Sequence, residues 1–581
     1  MSYVMLSSVS RELIRPKPFR RRRIVARFLA CLFLVLWFGA LDEREFFHPD
    51  EGRYAEIPRE MVSSGDWITP RLNGLKYFEK PVLQYWITAV SYLALGEEEF
   101  VARLWPALAG FLTLLLVYRM GRRMAGVRAG VLAAAVLATT FQFFVFSQIV
   151  TLDMGLSFFL TLALYGFLAS QDMRAAPSRQ RNSAILMWAA MALAVLSKGL
   201  VGVVLPALVL ATYVVVERDW KLLGRLQWGI GGAVFLSIAL PWFIWVQVRN
   251  PEFFQFFFVR EHFGRYALDE HRRAGVWYYF LAMLLIGSLP WSFMYFRAMF
   301  TSWRPSPINH FAINPLRLLT LWVIAIVVFY SLSRSKLPGY ILPVYPALAV
   351  LLGCYAQRTN MQMSKKMLLG IAALGIVAMA AAPLVTRIQK FADDADLIAP
   401  FVAWAMAAGG ILFVSALLAA ATKARYPRFA LPALGFGVLL ALQVLVTGVE
   451  SIEDQFSSET LVENALDEIG DFEANVPFYS LDMYDQTMPH QLGRILTVVK
   501  FRGELEMGIA LEPAKAVDTV EEFRRRWEGH RQAYAIIPRA QFTREQRAGT
   551  PMSVLAMNRN AVIVARAARV ELTKRPRRAD Q

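Results

Sequence analysis

A chain of 581 residues that is 56% hydrophobic and only 18% charged is too poor in charge for a soluble domain, which carries about 25%. Its apolar runs reach roughly 18–22 residues, the length that crosses a hydrocarbon core, which excludes a soluble enzyme, a disordered chain and a disulfide scaffold. The net charge of +17, from 62 Lys and Arg against 45 Asp and Glu, could mark a nucleic-acid partner, so its distribution along the chain decides.

The arm 1–23 ends in RPKPFRRRR and is expected to stay cytoplasmic. The apolar run after it continues to Leu41 with no small-x-small cleavage site, so it reads as a first helix and not a removed leader. Thirteen spans are expected, at about 24–41, 101–118, 129–147, 152–170, 183–197, 199–216, 228–248, 276–297, 316–333, 338–356, 367–386, 401–421 and 429–449. Alternate loops, among them RMGRRMAGVR, QDMRAAPSRQRN and TKARYPR, together with the arm hold 25 Lys and Arg but only four acidic residues. Such a separation marks the cytoplasmic side of a membrane protein and argues against nucleic acid. Residues 82–95 (VLQYWITAVSYLAL) are apolar but too short to span. Spanning there would invert the RMGRRMAGVR loop, so a helix lying at the outer interface is expected. Cys31 and Cys354 sit in apolar runs and read as buried thiols.

From Glu450 the composition changes. FYSLDMY, ILTVVKF, QAYAIIP and VLAMNRNAVIVARA read as strands, while SETLVENALDEIGDF and TVEEFRRRW read as amphipathic helices. The organisation is thus a cytoplasmic arm (1–23), a membrane domain (24–449) with a first outward loop at 42–100, and an α/β domain (450–581). Thirteen spans starting inside put that last domain outside.

Chemistry is expected where outward loops carry polar residues that solubility does not require. The loop 42–100 combines Asp50, Glu51, Arg53, Arg59, Glu79 and Lys80 with Tyr54, Trp67, Tyr77 and Phe78. Asp50, near the exit of the first helix, could bind a cation or amine or accept a proton; alternatively, Asp50 with Arg53 simply starts the helix EGRYAEIPREM. Asp153 places a carboxylate at the outer start of an apolar span, a functional position by default, although a helix N-terminus also favours it. Lys198, Arg334, Lys336, Arg260, His262 and Arg265 fall on outward turns and break the cytoplasmic rule for cations. They point to lipid headgroups in general or to a specific phosphate, which Lys binds as a point charge and Arg bidentately. Tyr340 could donate to the same phosphate or belong to an interfacial aromatic belt. Glu79 and His262 could ligate a metal or belong to a polar network. The sequence has no CxxC, HExxH, P-loop or GxSxG before a helix, which leaves little support for ATP-driven transport or serine hydrolysis.

The stretch HPDEGRYAEIPREMVSSGDWITPRLNGLKYFEKPVLQYW resembles the first-loop signature of bacterial lipid-phosphate-dependent glycosyltransferases, membrane enzymes related to protein O-mannosyltransferases. TLDMGLSFFLTLALY, LSKGLVGVVLP and SRSKLPGYILPVYPALAVLLG match further blocks in the same order. Within that family the chain is most similar to the branch that moves 4-amino-4-deoxy-L-arabinose to lipid A. The resemblance implies a GT-C-type fold of about 13 transmembrane helices with a C-terminal periplasmic α/β domain. It also implies an undecaprenyl-phosphate sugar donor, a lipid A phosphate acceptor at the periplasmic face of the inner membrane, and resistance to polymyxin and cationic peptides. The expected site comprises Asp50, Asp153 and Glu79 as catalytic residues. Lys80, Arg265 and Tyr340 would form the phosphate cradle, assisted by Lys198, Tyr77, Tyr54 and Arg53. No cofactor is required, and a divalent ion on Glu79 and His262 is an option. The rival readings are transfer of another sugar to lipid or protein, and a lipid or solute transporter. Transporters commonly show repeats and broken helices at the midplane, whereas the unusual residues here cluster at the outer ends.

Overall fold

The structure is a computed structural model that describes residues 18–264, 275–305, 308–360, 364–387, 395–425, 427–455 and 457–566. The chain divides into two units, Met1–Ala40 and Leu41–Gln581. The described part of the first is the helix α1 (Pro18–Phe38) and the short segment after it, in which four consecutive arginines lead into an unbroken apolar run.

The second unit opens with α2 (Asp50–Ser64), which ends at Gly65 in the left-handed region, its N–H on the Met61 carbonyl. Such a glycine satisfies a carbonyl that the helix leaves open. A hairpin of β1 (Arg71–Leu72) and β2 (Leu75–Lys76) follows, turning on Asn73 and Gly74, both at positive φ as this tight turn demands. Next comes α3 (Leu83–Leu95), a helix of 13 residues. At about 1.5 Å per residue it is too short to span a bilayer. It buries Tyr85, Ala89 and Tyr92 and exposes Val90, Leu93 and Leu95.

The bundle continues through α4 (Glu99–Ala125), α5 (Val127–Ala138), α6 (Phe141–Phe146), α7 (Leu152–Ser170), α8 (Pro177–Lys198) and α9 (Val201–Glu217). Among the described residues seven helices are long and apolar enough to cross a membrane, or nine if two bent pairs each count as one span. The thirteen-span reading overlooked these breaks. The expected span 129–147 bends by 69° between α5 and α6, where the Thr139 and Thr140 hydroxyls donate back to the Ala135 and Val136 carbonyls. The expected span 276–297 bends by 110° between Tyr279–Gly287 and Ser292–Ser302, where Pro290 has no N–H to continue the ladder. The expected span 338–356 divides into a 3₁₀ turn (Pro338–Ile341) and a helix Val344–Arg358. Both cysteines are free, but only Cys354 is buried. Cys31 is exposed, because an apolar helix face needs no protein cover when its surroundings are lipid.

The C-terminal region folds as a six-stranded sheet in the order β5-β4-β3-β6-β8-β7. Its strands are β3 (Phe478–Leu481), β4 (Thr497–Val499), β5 (Ala516–Val517), β6 (Tyr534–Pro538), β7 (Ser553–Met557) and β8 (Ala561–Ala565). The β5, β4, β3 and β6 strands pair in parallel, and β8 and β7 close the edge antiparallel. Alternate residues pack to opposite faces. Phe478, Tyr534, Ile536 and Ile563 meet the helix Glu459–Ile469, and Tyr479, Leu481, Ile537 and Val564 meet the helix Val520–Gly529.

This domain docks on the loop 42–100. Tyr484, Val498, Leu505 and Ile509 enter one apolar core with Phe46, Tyr54, Ile57 and Phe78. The Asn73 side-chain amide exchanges two hydrogen bonds of 2.8 Å with the Leu496 backbone. A Cβ on Gly52 would stand 2.6 Å from the Gln486 carbonyl, so glycine permits α2 to approach that backbone.

Candidate active site

The first half of the site is carried by α2. No side chain caps this helix, so Asp50 is not held as a cap; its carboxylate accepts from Arg53 Nη2 at 3.0 Å and stays half exposed. Arg53 is buried. Its Nη1 donates to the Tyr77 hydroxyl at 2.8 Å, pairs with Glu504 at 2.9 Å and lies 3.8 Å from the Glu79 carboxylate. Its guanidinium also lies over the Tyr54 ring. One buried cation therefore gathers Asp50, Tyr54, Tyr77 and Glu79 with one carboxylate of the C-terminal region. Lys80 Nζ donates to the Glu79 carbonyl at 2.9 Å and stands 3.8 Å from both the Glu79 and Glu261 carboxylates.

The second half lies where α7 begins and α8 ends. Asp153, in the first turn of α7, does not cap that helix either. Its Oδ1 accepts from Lys198 Nζ, the last residue of α8, at 2.5 Å. The same ammonium lies 5.4 Å from the centre of the Tyr340 ring, which packs on Tyr330 and Phe280. Gly339 brings this turn onto Asp153: a Cβ there would fall 2.5 Å from the Asp153 carboxyl carbon.

Tyr54 links the two halves electrostatically. Burial first, then the negative charge of Asp50 and, more weakly, of Glu79 and Asp153, hold its phenol protonated well above the ordinary range. Tyr54 therefore feels both carboxylates and remains a hydrogen-bond donor.

Sequence reasoning gave Glu51 no role, yet it sets the spacing of the halves. Its buried carboxylate is bound by both Nη atoms of Arg44, accepts from Arg103 Nε at 3.2 Å, and accepts the Val150 N–H at 2.9 Å, just before α7. Burial alone would raise its pKa, but Arg44 and Arg103 reverse this and leave it at about 2. One carboxylate thus ties the start of α2, with Asp50, to the start of α7, with Asp153. Glu504 was also missed, since nothing in GELEMGIAL distinguishes it from surface charge. Burial raises its pKa despite the neighbouring Arg53.

Other expectations fare differently. Lys336 was read as an anion-binding cation; it is buried and spends its ammonium on the carbonyls of Tyr330, Ser331 and Ser333 at the end of the helix Pro315–Leu332, a C-terminal capping role. Arg334 is exposed. Arg260 pairs with Glu506 at 3.3 Å. Arg265 and the side chain of His262 lie outside the described residues, so the cradle and the metal pair are seen only through Lys80, Tyr340 and Glu79. Among the described residues no group of three or more His, Cys, Asp or Glu side chains is placed to hold a metal ion.

Residues 25–257 match the family of dolichyl-phosphate-mannose-protein mannosyltransferases, and residues 468–566 match the aminoarabinose transferase C-terminal domain. The chain is 32% identical over 438 residues to the undecaprenyl phosphate-α-4-amino-4-deoxy-L-arabinose arabinosyl transferase of Pseudomonas aeruginosa (strain LESB58), a match covering 72% of this chain and 76% of that one. It is 31% identical over 367 residues to the protein of the same name from Edwardsiella ictaluri, spanning 65% of that relative's length. The crystal structure of ArnT from Cupriavidus metallidurans bound to undecaprenyl phosphate superposes with a TM-score of 0.88 at 34% identity, covering 94% of this chain and 98% of that one.

Proposed function

The chain belongs to the family of undecaprenyl phosphate-aminoarabinose arabinosyl transferases, and from that premise we propose that it moves 4-amino-4-deoxy-L-arabinose from undecaprenyl phosphate to a phosphate of lipid A. It is a multi-pass membrane glycosyltransferase. In our reading it crosses the bacterial inner membrane with about thirteen spans, broken ones included, and its site and C-terminal domain face the periplasm. What supports the reading is the pair of carboxylates tied together through Glu51, Asp50 with Arg53 at the start of α2 and Asp153 with Lys198 and Tyr340 at the start of α7.

The chemistry follows from charge. The bond between the sugar's anomeric carbon and the donor phosphate breaks, and an oxygen of the lipid A phosphate bonds to that carbon. The departing undecaprenyl phosphate gains negative charge, which preorganised cations stabilise. Lys80, Arg265 and Tyr340 are the proposed cradle, with Tyr77 beside it. The leaving phosphate is already an anion, so no general acid is needed. The acceptor phosphate is nucleophilic without a base, which makes Asp50 a group that positions the acceptor or pairs with the ammonium of the aminosugar. Asp153 shares that role. Lys198 holds Asp153 and so acts as a positioning residue, as Arg53 does for Asp50. The donor brings its own activated bond, and no cofactor is required. Glu79 and His262 remain candidate ligands for a divalent ion, and full activity after exhaustive chelation would show that any bound ion is structural or incidental.

Lipid A mass spectrometry tests the reading. Cells expressing the chain in a background lacking this activity should gain an aminopentose on lipid A and tolerate polymyxin. A hexose or hexosamine in its place, or an unchanged lipid A, would overturn the assignment of sugar and acceptor.

A further inference from the structure

The helix Val344–Arg358 begins beside the Tyr340 turn and ends at Arg358. Its 15 residues extend about 22 Å at 1.5 Å per residue, so Arg358 lies at the far end of the bundle from Asp153. There a cavity of about 610 Å³ opens between this helix and the helix Ser292–Ser302. Arg297, Arg304, Arg358, Tyr355, Phe296 and Phe300 line it, and no carboxylate does. The sequence agrees, for neither 293–315 nor 355–366 contains Asp or Glu. Among the described residues none of the three arginines forms an ion pair with a carboxylate, in contrast to Arg317, which is held by Glu217 at 2.5 Å.

The cavity is shaped as well as charged. Arg297 Nε donates to the Tyr355 hydroxyl at 2.7 Å. That bond fixes the guanidinium plane and leaves both Nη groups to bind an acceptor, the fork geometry that suits phosphate oxygens. Phe293, which also lines the cavity, and Phe300 are 76% and 77% exposed. On a membrane protein those faces meet acyl chains. Three guanidiniums clustered without counter-charge beside an apolar wall describe the head and the upper chains of one ligand.

We propose that this cavity binds the phosphate of an anionic phospholipid, separately from the sugar-transfer site. A free phosphate would satisfy the arginines but leave the phenylalanine wall without purpose. The lipid would brace the bent pair Tyr279–Gly287 and Ser292–Ser302 against the helix that leads back to Tyr340.

Native mass spectrometry of the delipidated full chain, titrated with phosphatidylglycerol, phosphatidylcholine or inorganic phosphate, tests this. Phosphatidylglycerol adducts should exceed phosphatidylcholine adducts, and should fall about five-fold in the double variant Arg304→Gln/Arg358→Gln, the loss of charge-assisted hydrogen bonds to one phosphate. The double variant Arg304→Lys/Arg358→Lys should recover part of the binding. Neither residue belongs to the transfer site, so catalysis by the Gln variant in detergent should be retained. If the double variant does not fold, the single variants and the salt sensitivity of wild-type adducts give the same reading. Equal adducts with the two lipids, or adducts unchanged in folded Gln variants, would overturn the proposal. Displacement of phosphatidylglycerol by millimolar inorganic phosphate would place recognition in the phosphate alone and overturn the lipid assignment.

Discussion

At the scale of single residues, the candidate site rests on a buried charge held entirely by protein groups. Glu51 neutralises two buried guanidiniums, Arg44 and Arg103, and holds the Val150 N–H. Removing one partner of such a network leaves charge buried without compensation, which costs about 3–5 kcal/mol. Glu51→Gln is therefore expected to lower the thermal midpoint of the purified protein and to loosen the spacing of Asp50 and Asp153. The pH dependence has a fixed sign. The folded Glu51 titrates at about 2, below the ordinary glutamate value of about 4.3, so its stabilising contribution is complete above pH 4.3 and fades as pH falls toward 2. Unfolding midpoints of wild type and Glu51→Gln should differ most near neutrality and converge in that acid window. A constant gap down to pH 2 would show that Glu51 is not the depressed acid described here.

At the scale of elements, the second half of the site depends on how closely the turn Pro338–Ile341 approaches α7. Gly339 leaves no room for a side chain against Asp153. Gly339→Ala is expected to displace the Asp153 carboxylate from Lys198 and to cut turnover about ten-fold or more, since a 1 Å displacement at a reacting group can cost 10²-fold. The fold should survive, and a far-ultraviolet spectrum with an unchanged elution volume would show it. Undiminished turnover would mean that Asp153 is not used in this position. This contact illustrates what sequence could and could not supply. Asp50, Asp153, Lys80, Lys198 and Tyr340 stand out in the sequence because each is a polar or ionisable group at the edge of an apolar run. Their pairing does not, because Asp153 and Lys198, or Arg53 and Tyr77, are joined by tertiary packing that no local period encodes. The short apolar helix α3 and the strands β3, β4, β6, β7 and β8 announced themselves by length and alternation. The breaks at Thr139 and near Pro290 did not, since apolar composition continues across them.

At the scale of the molecule, the C-terminal domain packs on the first loop beside the candidate site. Glu504 reaches Arg53, Glu512 holds Arg71 at 3.0 Å, and Tyr484 and Leu505 complete the apolar core around Tyr54. The domain read from composition as an α/β unit after residue 450 is thus part of the support for Asp50. Glu504→Gln should weaken transfer through the Arg53–Asp50 pair while leaving the domain docked. A chain truncated after residue 455 should lose transfer altogether and expose the apolar surface of the 42–100 loop to limited proteolysis. Transfer at the wild-type rate in the truncated chain would reduce the domain to an accessory.

The two carboxylates of the proposed site can be tested together with the purified full chain, undecaprenyl-phosphate aminoarabinose and lipid A. Wild type should convert lipid A to its aminoarabinose form. Asp50→Asn and Asp153→Asn, folded and inserted, should each fall at least about 100-fold, the size of loss typical of a removed charge at a reacting centre. Wild-type rates in both variants would contradict the account.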